Sequence, residues 1–154
     1  MLPIELQLRD LPDLYARFSN LVGAGAWTRV SKERRQAIKG NRFLSDYYAS
    51  ECAIPFQLTA LGRLVEEYGR FLPDGDSLRP LYPACAFMGQ ALHLLETWPR
   101  EDAGRLRRRI HGALDKSEDM RGLRLEFAAA THFTSRGWRV GWPELLGVQG
   151  EAFD

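Results

Sequence analysis

The densest run of side chains able to do chemistry is Arg105-Leu-Arg-Arg-Arg-Ile-His111. On a helix, Arg105, Arg108 and Arg109 fall on one side, where guanidinium groups can meet the phosphates of a nucleic acid. The plainer use of such a run is a solvated face, and Glu101 and Asp102 one turn earlier supply counter-charge for it. His93, His111 and His132 are scattered, without the HxxxH or HExxH spacing that a zinc site uses. Cys52 and Cys85 sit in apolar, helix-like contexts with no CxxC, so they read as two buried free thiols in a reducing compartment. GxGxxG, P-loop and GxSxG patterns are all absent, which leaves nucleotide cofactors and serine-hydrolase chemistry without support.

Three of the acidic residues towards the C-terminal end bear on chemistry. Glu126 stands about 60° off the apolar stripe of its helix, a flanking position that also suits a solvated carboxylate or a partner for Arg121 or Arg124. Asp154 follows the apolar Phe153 and is the last residue of the sequence. Glu144 follows Pro143, where a turn is the simpler reading.

The elements that must position these groups are mainly helices. Leu14, Phe18, Leu21 and Val22 share one face of a first helix from about Pro12 to Val22, ended by Gly23 and Gly25. A second begins at Ser31 as N-cap, breaks at Gly40-Asn41 and resumes through Phe43, Leu44, Tyr47, Tyr48 and Cys52. A third follows Pro55 with the stripe Leu61, Leu64, Val65, Tyr68 and Leu72, and Pro73 to Asp76 form a turn. The fourth covers about Leu78 to Thr97, with Pro83 either in its first turns or breaking them. The fifth starts at Pro99 and buries Ala103, Leu106, Ile110 and Leu114. A sixth, about Ser117 to Ser135, carries Leu123, Phe127, Ala130, Phe133 and Thr134 along one side and stops at Gly137. Trp138, Val140 and Trp142 then alternate with Arg139 and Gly141, which predicts a strand with both tryptophans on one face. Ala152 to Asp154 look like the start of another strand. A domain boundary is expected near Lys116-Ser117.

The chain has 154 residues, 45% of them hydrophobic and 27% charged, with a net charge of +1. That is an ordinary globular mixture, and any attraction to nucleic acid must come from a local patch, not from the global field. The start Met1-Leu2-Pro3-Ile4-Glu5 lacks a basic region followed by an apolar one, and no apolar stretch is long enough to cross a bilayer. No membrane association and a cytoplasmic location are the expectation.

The segment Arg121-Gly-Leu-Arg-Leu-Glu-Phe-Ala-Ala-Ala-Thr-His-Phe-Thr-Ser-Arg-Gly-Trp-Arg-Val-Gly-Trp-Pro-Glu resembles the opening of the restriction-endonuclease-like, or PD-(D/E)xK, nuclease superfamily. In that superfamily a helix carries a core-flanking Glu, a Gly-aromatic-x-Val strand and a loop follow, and later strands bring an acid and a (D/E)xK pair. The resemblance covers about the last quarter of the chain. It implies that Glu126 is the helix carboxylate, that Trp138 to Trp142 form the first strand, and that Asp154 is the first catalytic acid. Glu126 and Asp154 would then be both catalytic and metal-binding, holding Mg²⁺, a hard cation that takes oxygen ligands and activates water.

The (D/E)xK pair should follow Asp154, and that triplet occurs nowhere in the sequence. The expectation is therefore a mainly α protein: a helical bundle or array over residues 1–116, then the first helix and strands of an incomplete α/β nuclease-like core over 117–154. As it stands it would be inactive, either a fragment of a longer metal-dependent DNA- or RNA-processing protein or a vestigial relative, with Mg²⁺ bound only where the site is completed. A non-catalytic helical module that binds a protein partner is the alternative.

Overall fold

The computed structural model describes residues 6–142 apart from 52, 74 and 117–119, and no side chains for 48–51 and 101. Among the described residues the chain forms seven α-helices and no strand. They are α1 (Leu11–Val22), α2 (Gly25–Ala37), α3 (Arg42–Glu51), α4 (Ala53–Tyr68), α5 (Tyr82–Thr97), α6 (Arg100–Lys116) and α7 (Met120–Thr134). None of the helices is long and apolar enough to cross a membrane.

The punctuation read from the sequence largely recurs. Gly23 takes φ 93° and closes α1, because a left-handed residue without a Cβ carries no steric penalty there. Gly40 takes φ 80°, and the Asn41 side-chain oxygen accepts a 3.1 Å bond from the Leu44 N–H, capping α3. Pro83 occupies the first turn of α5, where its missing N–H is harmless.

Ser31 is a correction. It is not the N-cap of α2 but lies inside that helix, 1% exposed. Helix α2 starts six residues earlier than expected, at Gly25 rather than Ser31, because only helical geometry puts Ala26, Trp27 and Val30 together on the core side. Trp27 is fully buried, and a buried indole of that size contributes more than a serine cap.

The core is organised around one aromatic series. Tyr15 meets Trp27 edge-on at 6.2 Å, and Trp27 stacks on Phe18 at 5.4 Å. Phe18 meets Phe87 at 6.0 Å, and Phe87 stacks on Phe127 at 5.6 Å. Phe127 meets Trp142 at 5.9 Å, and Trp142 meets Trp98 at 4.9 Å. This series runs from α1 and α2 through α5 to α7 and the segment beyond it. Helix α7, placed after the expected boundary, thus shares one apolar interior with α1, α2, α4, α5 and α6. Ion pairs tie the outside: Arg17 of α1 to Glu96 of α5, and Arg29 of α2 to Asp115 of α6.

The expected strand is the second correction. Residues 138–142 follow α7 without sheet pairing. The two tryptophans do not share a face: Trp142 is 8% exposed and Trp138 67%. Alternation over five residues gives a strand only where an edge is present to pair its N–H and C=O groups. The anticipated partner, Ala152 to Asp154, lies outside the described residues. In place of a ladder, the segment is held by the burial of Trp142.

Candidate functional site

Glu126 sits on α7 where α6 and the segment after α7 converge. Arg109 Nη2 of α6 donates to Glu126 Oε1 at 3.0 Å and lies 2.8 Å from Oε2. The Trp142 indole N–H donates to Oε2 at 2.7 Å. One carboxylate therefore ties together α6, α7 and the returning segment. The Glu126 side chain is 38% exposed, so solvent weakens the ion pair; a net contribution of about 1 kcal/mol is the appropriate scale.

The sequence placed Arg105, Arg108 and Arg109 on one phosphate-facing side. The structure divides them: Arg105 and Arg108 are exposed, while Arg109 is half-buried against Glu126. Asp154 and Pro143-Glu144 lie outside the described residues. The histidines do not gather. His111 and His132 are exposed, and His93 Nε2 is 3.1 Å from the Thr134 hydroxyl across α5 and α7. Cys85 is 5% exposed, and burial pushes its thiol up to about 11, which makes it inert at neutral pH. The Cys52 side chain is outside the described residues.

The fit of these groups to Mg²⁺ can be tested directly. Mg²⁺ needs a near-octahedral set of oxygens. Glu126 offers two, each already accepting from a guanidinium or an indole N–H, and among the described residues no three His, Cys, Asp or Glu side chains cluster. The described residues alone do not fit the ion. What they build is a joint between helices.

A second site was not read from the sequence. A cleft of about 460 Å³ opens between α2 and α4. Lys32, Arg35, Lys39 and Arg63 line it against one carboxylate, Glu66. Tyr15, Gln36 and Gly62 also face it. Its floor is a hydroxyl pair, Ser31 and Thr59, 2.8 Å apart and both within 3.0 Å of the Pro55 carbonyl. Between them the two hydroxyl protons satisfy that carbonyl and each other, so the floor is neutral and closed. Arg35 lies 5.5 Å over the Phe56 ring, a cation–π contact of roughly 0.5–1 kcal/mol that holds its guanidinium against α4. A signal was present in the spacing Lys32, Arg35, Lys39, which repeats at three and four on the second helix. Periodicity does not say which helices lie side by side, so Arg63 could not be joined to it.

No family model, curated protein or solved structure matches the chain. The functional reading rests on its own residues.

Proposed function

We propose that this chain is the helical, nucleic-acid-binding part of a nuclease-like protein and is itself non-catalytic. The observation that carries the reading is the Glu126 joint. Glu126 stands where the resemblance expects a helix carboxylate, and the residues after α7 return to it through Trp142. Both of its oxygens are engaged by Arg109 and Trp142, which is a structural use. Phosphodiester hydrolysis would need further carboxylates around Glu126, and among the described residues no three His, Cys, Asp or Glu side chains cluster.

Glu126→Gln tests the reading, because it keeps shape and removes charge. The chain is incubated with labelled single-stranded and duplex DNA and RNA in Mg²⁺ or Mn²⁺. The expected result is binding without cleavage in both proteins, with the variant melting a few degrees lower, about 2–4 °C per kcal/mol for a chain of this size. Metal-dependent cleavage by the wild type that disappears in the variant would overturn the structural role of Glu126.

One observation favours a second reading, a module that binds a protein partner. At the end of α7 the Gly137 N–H bonds the Thr134 carbonyl at 3.0 Å and the Trp138 N–H bonds the Phe133 carbonyl at 3.1 Å. This Schellman arrangement brings Phe133 and Trp138 to one end of the helix, and they are 50% and 67% exposed. Exposed aromatic pairs of this kind favour protein partners.

A further inference from the structure

We infer that the cleft between α2 and α4 is a groove for the phosphodiester backbone of a nucleic acid, with Lys32, Arg35, Lys39 and Arg63 as its phosphate contacts. The inference rests on the non-catalytic binding reading and assigns that binding to a surface remote in sequence from Glu126.

Charge is the first support. Several cations elsewhere are held in ion pairs: Arg17 with Glu96, Arg29 with Asp115, Arg109 with Glu126. None of the four cleft cations takes part in an ion pair among the described residues, and a single carboxylate, Glu66, shares their cleft. On a chain of net charge +1 this is a concentrated positive field.

Geometry is the second. Lys32 and Arg35 stand on consecutive turns of α2, and Lys39 lies just past its end. Seven residues at helical rise span roughly 10 Å, about the axial length of three phosphates along one strand. Arg63 faces them from α4, and the groove between is open. An open groove with cations in a row suits a chain of phosphates better than one small anion. Arg35 is already held over Phe56, so less side-chain freedom is lost on binding.

The test is fluorescence anisotropy with a short labelled single strand and its duplex, using the full chain. Four phosphate contacts predict that wild-type affinity for the single strand falls about 50-fold between about 50 and 200 mM salt. The combined variant Lys32→Ala, Arg35→Ala, Lys39→Ala, Arg63→Ala should bind at least about tenfold more weakly at low salt, with a log–log salt slope shallower by about three. All four side chains are exposed, so the variant should fold, and circular dichroism checks this. Lys32→Arg with Lys39→Arg should bind like the wild type.

Unchanged affinity and slope in the folded quadruple variant would overturn the groove and leave the binding reading standing. So would displacement of the probe by inorganic pyrophosphate at equal concentration of sites, or binding to phosphatidylserine vesicles with none to either oligonucleotide. Mg²⁺-dependent cleavage of the probe by the wild type would sink the non-catalytic reading instead, while the anisotropy comparison still judges the groove.

Discussion

Gly62→Ala should destabilise the protein, although the same change in most helices would stabilise it. Gly62 lies inside α4 and is buried at the edge of the cleft. In a free helix interior, alanine in place of glycine gains about 1 kcal/mol. Here an added Cβ would lie 2.3 Å from the Tyr15 hydroxyl oxygen and 2.9 Å from Cζ of that ring. Both are inside contact distance, and the same ring meets Trp27 edge-on at 6.2 Å, which limits how far it can give way. Overpacking of this kind costs about 1–3 kcal/mol, so the expected net is a loss of roughly 1 kcal/mol, from both terms together. Urea denaturation followed at a helical wavelength measures it. In a Tyr15→Leu background the clash is gone and Gly62→Ala should change sign, to a gain approaching 1 kcal/mol. The coupling between the two substitutions would then be about 2 kcal/mol. A Gly62→Ala variant that gains stability in the presence of Tyr15 would refute the contact, and with it the shape of that edge of the cleft.

Two further outcomes follow from the core. Phe127→Ala should cost about 3–5 kcal/mol, and because Phe127 stacks on Phe87 and meets Trp142, the chain should still melt in one transition; two separated transitions would refute the shared interior. Cys85 gives a pH dependence. Burial raises its thiol from 9.0 to about 11, so between those values the unfolded chain has released a proton that the folded chain keeps. Stability from this group is therefore constant below about pH 9 and declines by about 2 kcal/mol as pH rises towards 11. A Cys85→Ala variant should lack that part of the decline, and identical alkaline profiles would count against the burial of the thiol.

Much of the helical architecture was legible because apolar spacing and glycine punctuation act locally. Gly23, Gly40 and Gly137 mark helix ends through their own backbone preference, and each does so here with positive φ. Ser31 misled because its cap propensity is also local, whereas the burial of Trp27 is decided by what lies across the core. The strand at Trp138 to Trp142 misled for a related reason. Alternation records which side chains are apolar, not whether an edge is present to pair with, and Trp142 found the Phe127 and Trp98 rings instead. In the candidate site, Glu126 was legible as a flanking carboxylate, and an arginine partner was weighed for it. Spacing along the helix points to the nearby Arg121 or Arg124; the structure supplies Arg109, 17 residues away on another helix. Tertiary packing chose the partner, and sequence spacing carries no record of that choice.

That choice also bears on where the protein can meet phosphate. Read as a sequence, the charge density peaks at Arg105 to Arg109. Read as a surface, density is not availability. A guanidinium whose nitrogen lies 2.8 Å from a carboxylate oxygen must break that contact before it can neutralise a phosphate, and the released counterion that drives association is then partly offset. Lys32, Arg35, Lys39 and Arg63 carry no such cost, and two helices aim them into one groove. In a chain whose charges nearly cancel, a phosphate-binding surface is proposed where the fold gathers several such cations in one groove. That places the proposed phosphate groove between α2 and α4, apart from the arginine-rich stretch of α6.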